Sequence, residues 1–174
     1  MLKIAKLGNP ILRKIAVPID PREIKSLEVQ GLIDEMFEVM YDEPGIGLAA
    51  PQVSRSIQLV VMGCKDEGGF PETVLINPSI AYYGPEQVDS WEGCLSVDGL
   101  RGKVTRPSVV RVKGLDRKGK PLDFEAAGLF AVCIQHELDH LIGKLFLDRM
   151  TDMSTLTQLH EFHQYWQKEP SSVI

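Results

Sequence analysis

The stretch AAGLFAVCIQHELDHL, residues 126–141, decides the fold. Leu129, Phe130, Ala131, Val132, Ile134 and Leu141 give it too many apolar positions for a surface helix, so it reads as a helix buried on most sides, stopped at Gly143. Two of the chain's four histidines, His136 and His140, lie inside it. On a helix, positions i and i+4 share one face, so both imidazoles can reach one metal ion. Unpaired polar rings in an apolar helix are costly, and binding a metal removes that cost. Glu137, next to the first histidine, projects beside such a site and can take a proton from water there.

Outward from this helix the pattern changes to short β-type runs at Ile57–Met62, Thr73–Ile76 and Val109–Leu115. The loop Asp116–Lys120 turns the last of these into a fourth run, Leu122–Phe124. Upstream, Asn9-Pro10 opens a short helix to about Lys14. Asp20-Pro21 opens a longer one, with Ile24, Leu27, Ile33, Met36, Phe37 and Met40 at helical spacing, ending before Pro44. A last helical stretch covers about Met153–Gln167, followed by a frayed tail at 168–174. Hairpins rather than βαβ units give an α+β class. The expected architecture is one domain over 1–174, with antiparallel or mixed sheets packed around the His-Glu-x-x-His helix and a helix near each end.

Composition narrows the function. With 174 residues, 44% hydrophobic and 25% charged, the chain can build a core without disulfides and is not disordered, collagen-like or a coiled coil. No apolar run approaches the ~18 residues of a membrane span. The net charge of −5 argues against a protein whose main task is coating nucleic acid. Three cysteines, Cys64, Cys94 and Cys133, make no disulfide framework and read as reduced thiols or metal ligands in a reducing, cytoplasm-like compartment. The N-terminus lacks the features of a signal or transit peptide, so a mature chain is the simplest reading; a trimmed organellar precursor is the alternative.

A catalytic metal site needs a third protein ligand and an open position. His160 and His163 lie in a separate stretch and read as surface residues, and Phe146 stands where a longer zinc-protease pattern has its third histidine. Cys94, in Trp91-Glu92-Gly93-Cys94-Leu95-Ser96, is the attractive candidate, against the plainer reading of a buried, inert thiol.

Together GIGLAAPQ at 45–52, EGCLS at 92–96 and QHELDH at 135–140 resemble the three motifs of the peptide deformylases, in that family's order and spacing. The resemblance runs from Asn9-Pro10 to about Met150. It implies a compact α+β fold and removal of the formyl group from N-formylmethionine at the start of new polypeptides, with release of formate. It also implies one divalent metal ion held by Cys94, His136 and His140, usually Fe(II), with Zn(II), Ni(II) or Co(II) possible in purified protein. The resemblance further implies that hydroxide made available at that ion would attack the formyl carbon, that Glu137 would act as general base and then general acid, and that the Gln52 amide and the Leu95 N–H would receive the developing oxyanion.

Further positions resemble the family's substrate site: Gly45, Ile46, Gly47, Glu92, Gly93, Leu129, Val132 and Cys133 as the methionine pocket, and Arg101 at its mouth. For Leu129, Val132 and Cys133 plain core packing is the competing reading. Asp139 is expected to support the ligands from behind. Asp98 stands where the family often has proline, a departure from the family pattern at the start of the following loop. The implied partners are N-formylmethionyl nascent peptides, with transient ribosome contact; no membrane, no sequence-specific nucleic acid and a monomer are expected. The 153–167 stretch is nearly free of Lys and Arg, so a basic ribosome-binding helix is not carried over. Two other readings stay open: a small zinc endopeptidase, and a silent member that binds nascent N-termini or metal without turnover.

Overall fold

The computed structural model describes residues 2–167. Asn9 Oδ1 accepts from the Ile11 N–H at 3.1 Å and caps a 3-10 turn at Pro10–Arg13, as the Asn-Pro signal predicts. The first long helix, α1 (Leu27–Asp42), begins later than Asp20-Pro21 suggests. Asp20 caps only a local turn, accepting from the Arg22 N–H, whereas Ser26 Oγ accepts from the Val29 N–H and starts the helix. Ile24 therefore lies outside the helix, yet it is fully buried.

Seven strands follow in two antiparallel sheets, with an eighth near the end of the chain. They are β1 (Gly47–Ala49), β2 (Leu59–Cys64), β3 (Phe70–Tyr83), β4 (Gln87–Cys94), β5 (Val97–Pro107), β6 (Val109–Leu115), β7 (Pro121–Ala127) and β8 (Thr157–Gln158). The larger sheet has the order β1-β2-β3-β6-β7 and the smaller β4-β5-β8. The strand pairs are antiparallel, with one isolated parallel bridge between Val17 and Ile57. The class is α+β. The expected run at 57–62 starts two residues before β2 and overlaps it at 59–62, and those at 73–76, 109–115 and 122–124 fall within β3, β6 and β7, while β1, β4 and β5 had no sequence signal strong enough to name them.

Strand β2 explains the layering. Leu59 and Val61 pack in one core with Ile33, Met36 and Met40 of α1, while Val60 and Met62 pack in another with Ala131, Cys133 and Ile134. Successive strand residues point to opposite faces, so the sheet is covered by α1 on one side and by helix α2 (Gly128–Leu141) on the other. Burial on both faces also explains why this strand reads as an unbroken apolar run; each such side chain contributes about 1.5–3 kcal/mol. Val97, Val104, Leu145 and Phe146 form a third, smaller core beside the smaller sheet.

Helix α2 stops as its sequence predicts. Gly143 has φ +71, and a Cβ there would come within 2.6 Å of the Arg13 carbonyl oxygen, so only glycine ends the helix this close to the N-terminal segment. The expected helix over 153–167 is corrected. That stretch comprises a 3-10 turn at Met153–Thr155, strand β8, a helical turn at Leu159–Glu161 and a π-helical turn at Phe162–Trp166. Pairing with β5 takes the backbone at Thr157–Gln158 that a continuous helix would need. The tail at 168–174 lies outside the described residues.

Candidate metal centre and active site

Helical spacing places the His136 and His140 rings side by side, with centroids 5.2 Å apart and planes at 74°. The cysteine arrives from another layer. Strands β4 and β5 form a hairpin whose register shifts between Glu92 and Cys94, and this irregularity ends the strand with Cys94 beside α2. Its Sγ lies 3.4 Å from His140 Nε2. One ligand atom each from Cys94, His136 and His140 lies within 4.8 Å of the others.

Donors surround the sulfur. The Ser96 N–H points at Sγ from 3.4 Å and the Gln52 side-chain amide from 3.5 Å. The amide orientation is set at its other end, where Gln52 Oε1 accepts from the Ala49 N–H at 2.8 Å. The N-terminal segment ties the two loops together: Ala5 N–H donates to the Gln52 carbonyl and Leu7 N–H to that of Ser96, each at 2.7 Å. Lys6 Nζ donates to the Leu95 carbonyl at 2.8 Å and pairs with Asp98 at 2.7 Å. Asp98 thus anchors its loop through an ion pair where a proline would have stiffened it.

Behind the histidines lies a buried charged chain. His136 Nδ1 bonds to Glu92 Oε2 at 2.8 Å, which leaves Nε2 for the site. Arg106 forks onto Glu92, with Nε to Oε1 at 2.6 Å and Nη2 to Oε2 at 3.0 Å, and reaches Asp139 with Nη1 at 3.0 Å. Arg149 closes the chain on Asp139. Burial works to raise the Glu92 pKa, but the His136 and Arg106 hydrogen bonds outweigh it and hold the carboxyl at about 2. Burial disfavours a charged His136, yet Cys94 and Glu92 raise its pKa well above the ordinary value. Burial pushes the His140 pKa well below normal and leaves that ring neutral.

Glu137 is 2% exposed and its Oε2 has no hydrogen-bond partner among the described residues; the same holds for His140 Nδ1. Burial first of all, opposed by His136, raises the Glu137 pKa to about 7. A carboxylate so placed can hold or release a proton near neutrality. Gly47 lies against it: a Cβ there would come within 2.4 Å of Glu137 Oε1. Gly47→Ala should displace the carboxylate and lower kcat by about 10²-fold, the cost of an ångström-scale misplacement. A rate within twofold of wild type, in protein with an unchanged melting temperature, would show that this packing is unimportant.

Of the residues singled out from the sequence, Gly45, Ile46, Gly47 and Gln52 line one side of a single cavity. Gly93, Cys94, Leu95 and Arg101 line the other, and His136 and Glu137 face it from α2. Arg101 Nη1 donates to the Leu100 carbonyl at 2.9 Å, and its buried Nε has no partner among the described residues. Glu92 does not line the cavity; it is fully buried and spends both oxygens on His136 and Arg106. Leu129, Val132 and Cys133 share the α2 stripe of His136 and Glu137; Cys133 is buried, with Sγ 3.7 Å from the carbonyl of Ile46, which lines the cavity. Burial drives the Cys133 thiol pKa well up, which keeps it unreactive. His160 and His163 are exposed, and Cys64 takes no part in the donor group. Sequence reasoning missed Arg106, Arg149 and Ser96. The carboxylate Asp139 in an apolar helix was the signal that a buried cation had to exist.

One thiol and two imidazoles suit a first-row divalent cation, and an S···N separation of 3.4 Å matches the ~3.5 Å edge of a tetrahedral site with sulfur and nitrogen ligands. Three protein donors leave a fourth position open, as in catalytic rather than structural sites. Fold and donor set define a metal-dependent hydrolase built on a His-Glu-x-x-His helix. The family model for polypeptide deformylase matches residues 1–155, and the chain belongs to this family. It is 46% identical over 153 residues to peptide deformylase 2 of Xanthomonas axonopodis pv. citri, covering 88% of this chain and 89% of that protein. The class I type b peptide deformylase of Acinetobacter baumannii, solved with Met-Ala-Ser bound, superposes with a TM-score of 0.83 at 35% identity, covering 86% of this chain and 98% of that one. The Thermotoga maritima peptide deformylase gives 0.80 at 36% identity, covering 87% and 99%. The family's reaction is metal-dependent removal of the N-formyl group from nascent peptides, and this chain is an enzyme of that kind.

Proposed function

We propose that residues 1–174 act as one catalytic unit that hydrolyses the formyl amide of N-formylmethionyl peptides, with Cys94, His136 and His140 holding the metal. The observation that carries this assignment is the convergence of those three donors on a point faced by the Gln52 amide and by the free oxygen of Glu137. When bound, a divalent ion supplies Lewis acidity and makes hydroxide available near neutral pH.

The remaining work falls to side chains. Glu137 takes the proton of the attacking water, holds it on its buried carboxyl, and delivers it to the departing amine nitrogen. As the formyl carbon becomes tetrahedral, charge gathers on its oxygen, and the Gln52 amide together with the Leu95 N–H receives it. The products are formate and a peptide with a free N-terminal methionine; the Met-Ala-Ser held by the Acinetobacter baumannii relative is a peptide of that form. Gly45, Ile46 and Gly47 form the smooth side of the slot that takes the thioether, and Arg101 lies where it can hold the peptide backbone.

Formate release from formyl-Met-Ala-Ser, without cleavage of internal peptide bonds, tests the reaction. Endoproteolysis without formate would overturn it. Gln52→Ala should lower kcat by about 10²–10³-fold, the usual cost of one pre-aimed oxyanion donor; a change mostly in KM would remove Gln52 from that role. We further propose Fe(II) as the working ion in the cytoplasm, with the enzyme acting as a monomer in transient contact with the ribosome. A thiolate beside Fe(II) is sensitive to oxidation, so iron-loaded protein should lose activity in air while nickel-loaded protein survives. Equal lifetimes would argue that iron is not the working ion.

A further inference from the structure

The segment from Thr155 to Trp166 extends past the residues matched by the family model, which end at 155, yet it is built into the substrate side of the site. It is fastened at three points. Thr155 Oγ1 accepts from the Lys103 N–H at 3.1 Å. Strand β8 then adds to β5, with Gln158 opposite Leu100 and Thr157 opposite Arg101. Finally Phe162, fully buried, packs edge-on against Trp91 with centroids 5.0 Å apart, and Trp166 tilts onto the same ring at 5.6 Å. Trp91 belongs to β4, the strand that ends in Cys94.

Leu159 lies between the second and third of these points. It is half-buried, and it lines the same cavity as Gln52, Cys94 and Glu137. An open groove continues outward from that cavity. Asp98, Gly99 and Leu159 border both parts. The charge of Asp98 is met by Lys6 at 2.7 Å, and Leu159 presents an apolar side chain at this junction.

We infer that Leu159 is a specificity-determining residue for the deformylation reaction. It forms the apolar wall met by the side chain that follows the formylmethionine, and it favours substrates that are apolar there. The inference rests on the deformylase reading above. A peptide whose formyl group lies at Glu137 continues outward past Leu159, and the three fastenings hold that wall in place before substrate arrives. A preformed apolar surface of this kind adds affinity because little ordering remains to be done on binding.

The test compares formate release from formyl-Met-Leu-Leu amide, formyl-Met-Ser-Ser amide and formylmethionine amide, which ends before the groove. In wild-type protein KM should be lower for the Leu-Leu peptide than for the Ser-Ser peptide. Leu159→Glu should raise the ratio of the Leu-Leu KM to the formylmethionine amide KM by about tenfold, a normal size for losing an apolar subsite contact. Leu159→Met should restore it. A ratio unchanged in Leu159→Glu, or a fall in kcat shared by all three substrates, would overturn the inference and leave the deformylase reading intact. Absence of formate release by wild-type protein from any of the three would overturn that reading, and the inference with it.

Discussion

Glu137→Gln should lower kcat for formate release by about 10²–10⁴-fold, the range that a positioned proton-transfer group contributes, while the protein still folds and still takes up one metal ion. The side chain is buried, Gly47 packs against one carboxylate oxygen, and the other oxygen has no partner among the described residues. The amide has almost the same shape, so packing is preserved, but it cannot accept a proton from water or return one to the amine. Burial of the wild-type carboxyl, which raises its pKa to about 7, suits both halves of that exchange. Steady-state kinetics with metal analysis of the same preparation checks this. A rate within tenfold of wild type at full metal content would remove Glu137 from proton transfer.

The second large effect is on the metal. Cys94→Ser should reduce metal affinity by more than about 100-fold, since even changes to groups behind the ligands cost 10–100-fold. Activity should fall with occupancy. Serine keeps the approximate volume, so the Gln52 and Ser96 contacts with this position can persist, but a hydroxyl is a far poorer ligand for such an ion than a sulfur. Because binding to the folded state adds to its stability, the gap in melting temperature between metal-loaded and chelated protein should nearly vanish. One tightly held equivalent of metal surviving a chelator in Cys94→Ser would rule the sulfur out as a ligand.

Much of the donor set could be read from local pattern. The i, i+4 histidines in an apolar helix, the glutamate between them and the glycine stop are local features, and α2 realises them within two residues of the expected start. The 116–120 turn and the Asn9 cap are similarly local. The β4–β5 hairpin was less legible. Its inward positions include Glu92 and Arg106, and a hydrophobicity pattern assigns such charges to solvent. Only their pairing with each other, and with His136 and Asp139, makes their burial tolerable. The family resemblance put Glu92 on the pocket wall, whereas it stands behind the histidine. The 153–167 stretch failed differently: its helical spacing was outcompeted by the free edge of β5 and by the aromatic face of Trp91.

Sequence alone determined which side chains share a helix face, where that helix stops, and that a thiol with a glycine before it was available. Local backbone geometry decides such matters, because it sets spacing over a few residues. The tertiary structure decided that the thiol reaches the two rings, that Gln52 and Glu137 line the same cavity, and that Leu159 borders it. Those groups come from segments far apart in the chain, and only the packing of sheet, hairpin and helix around shared cores brings them together.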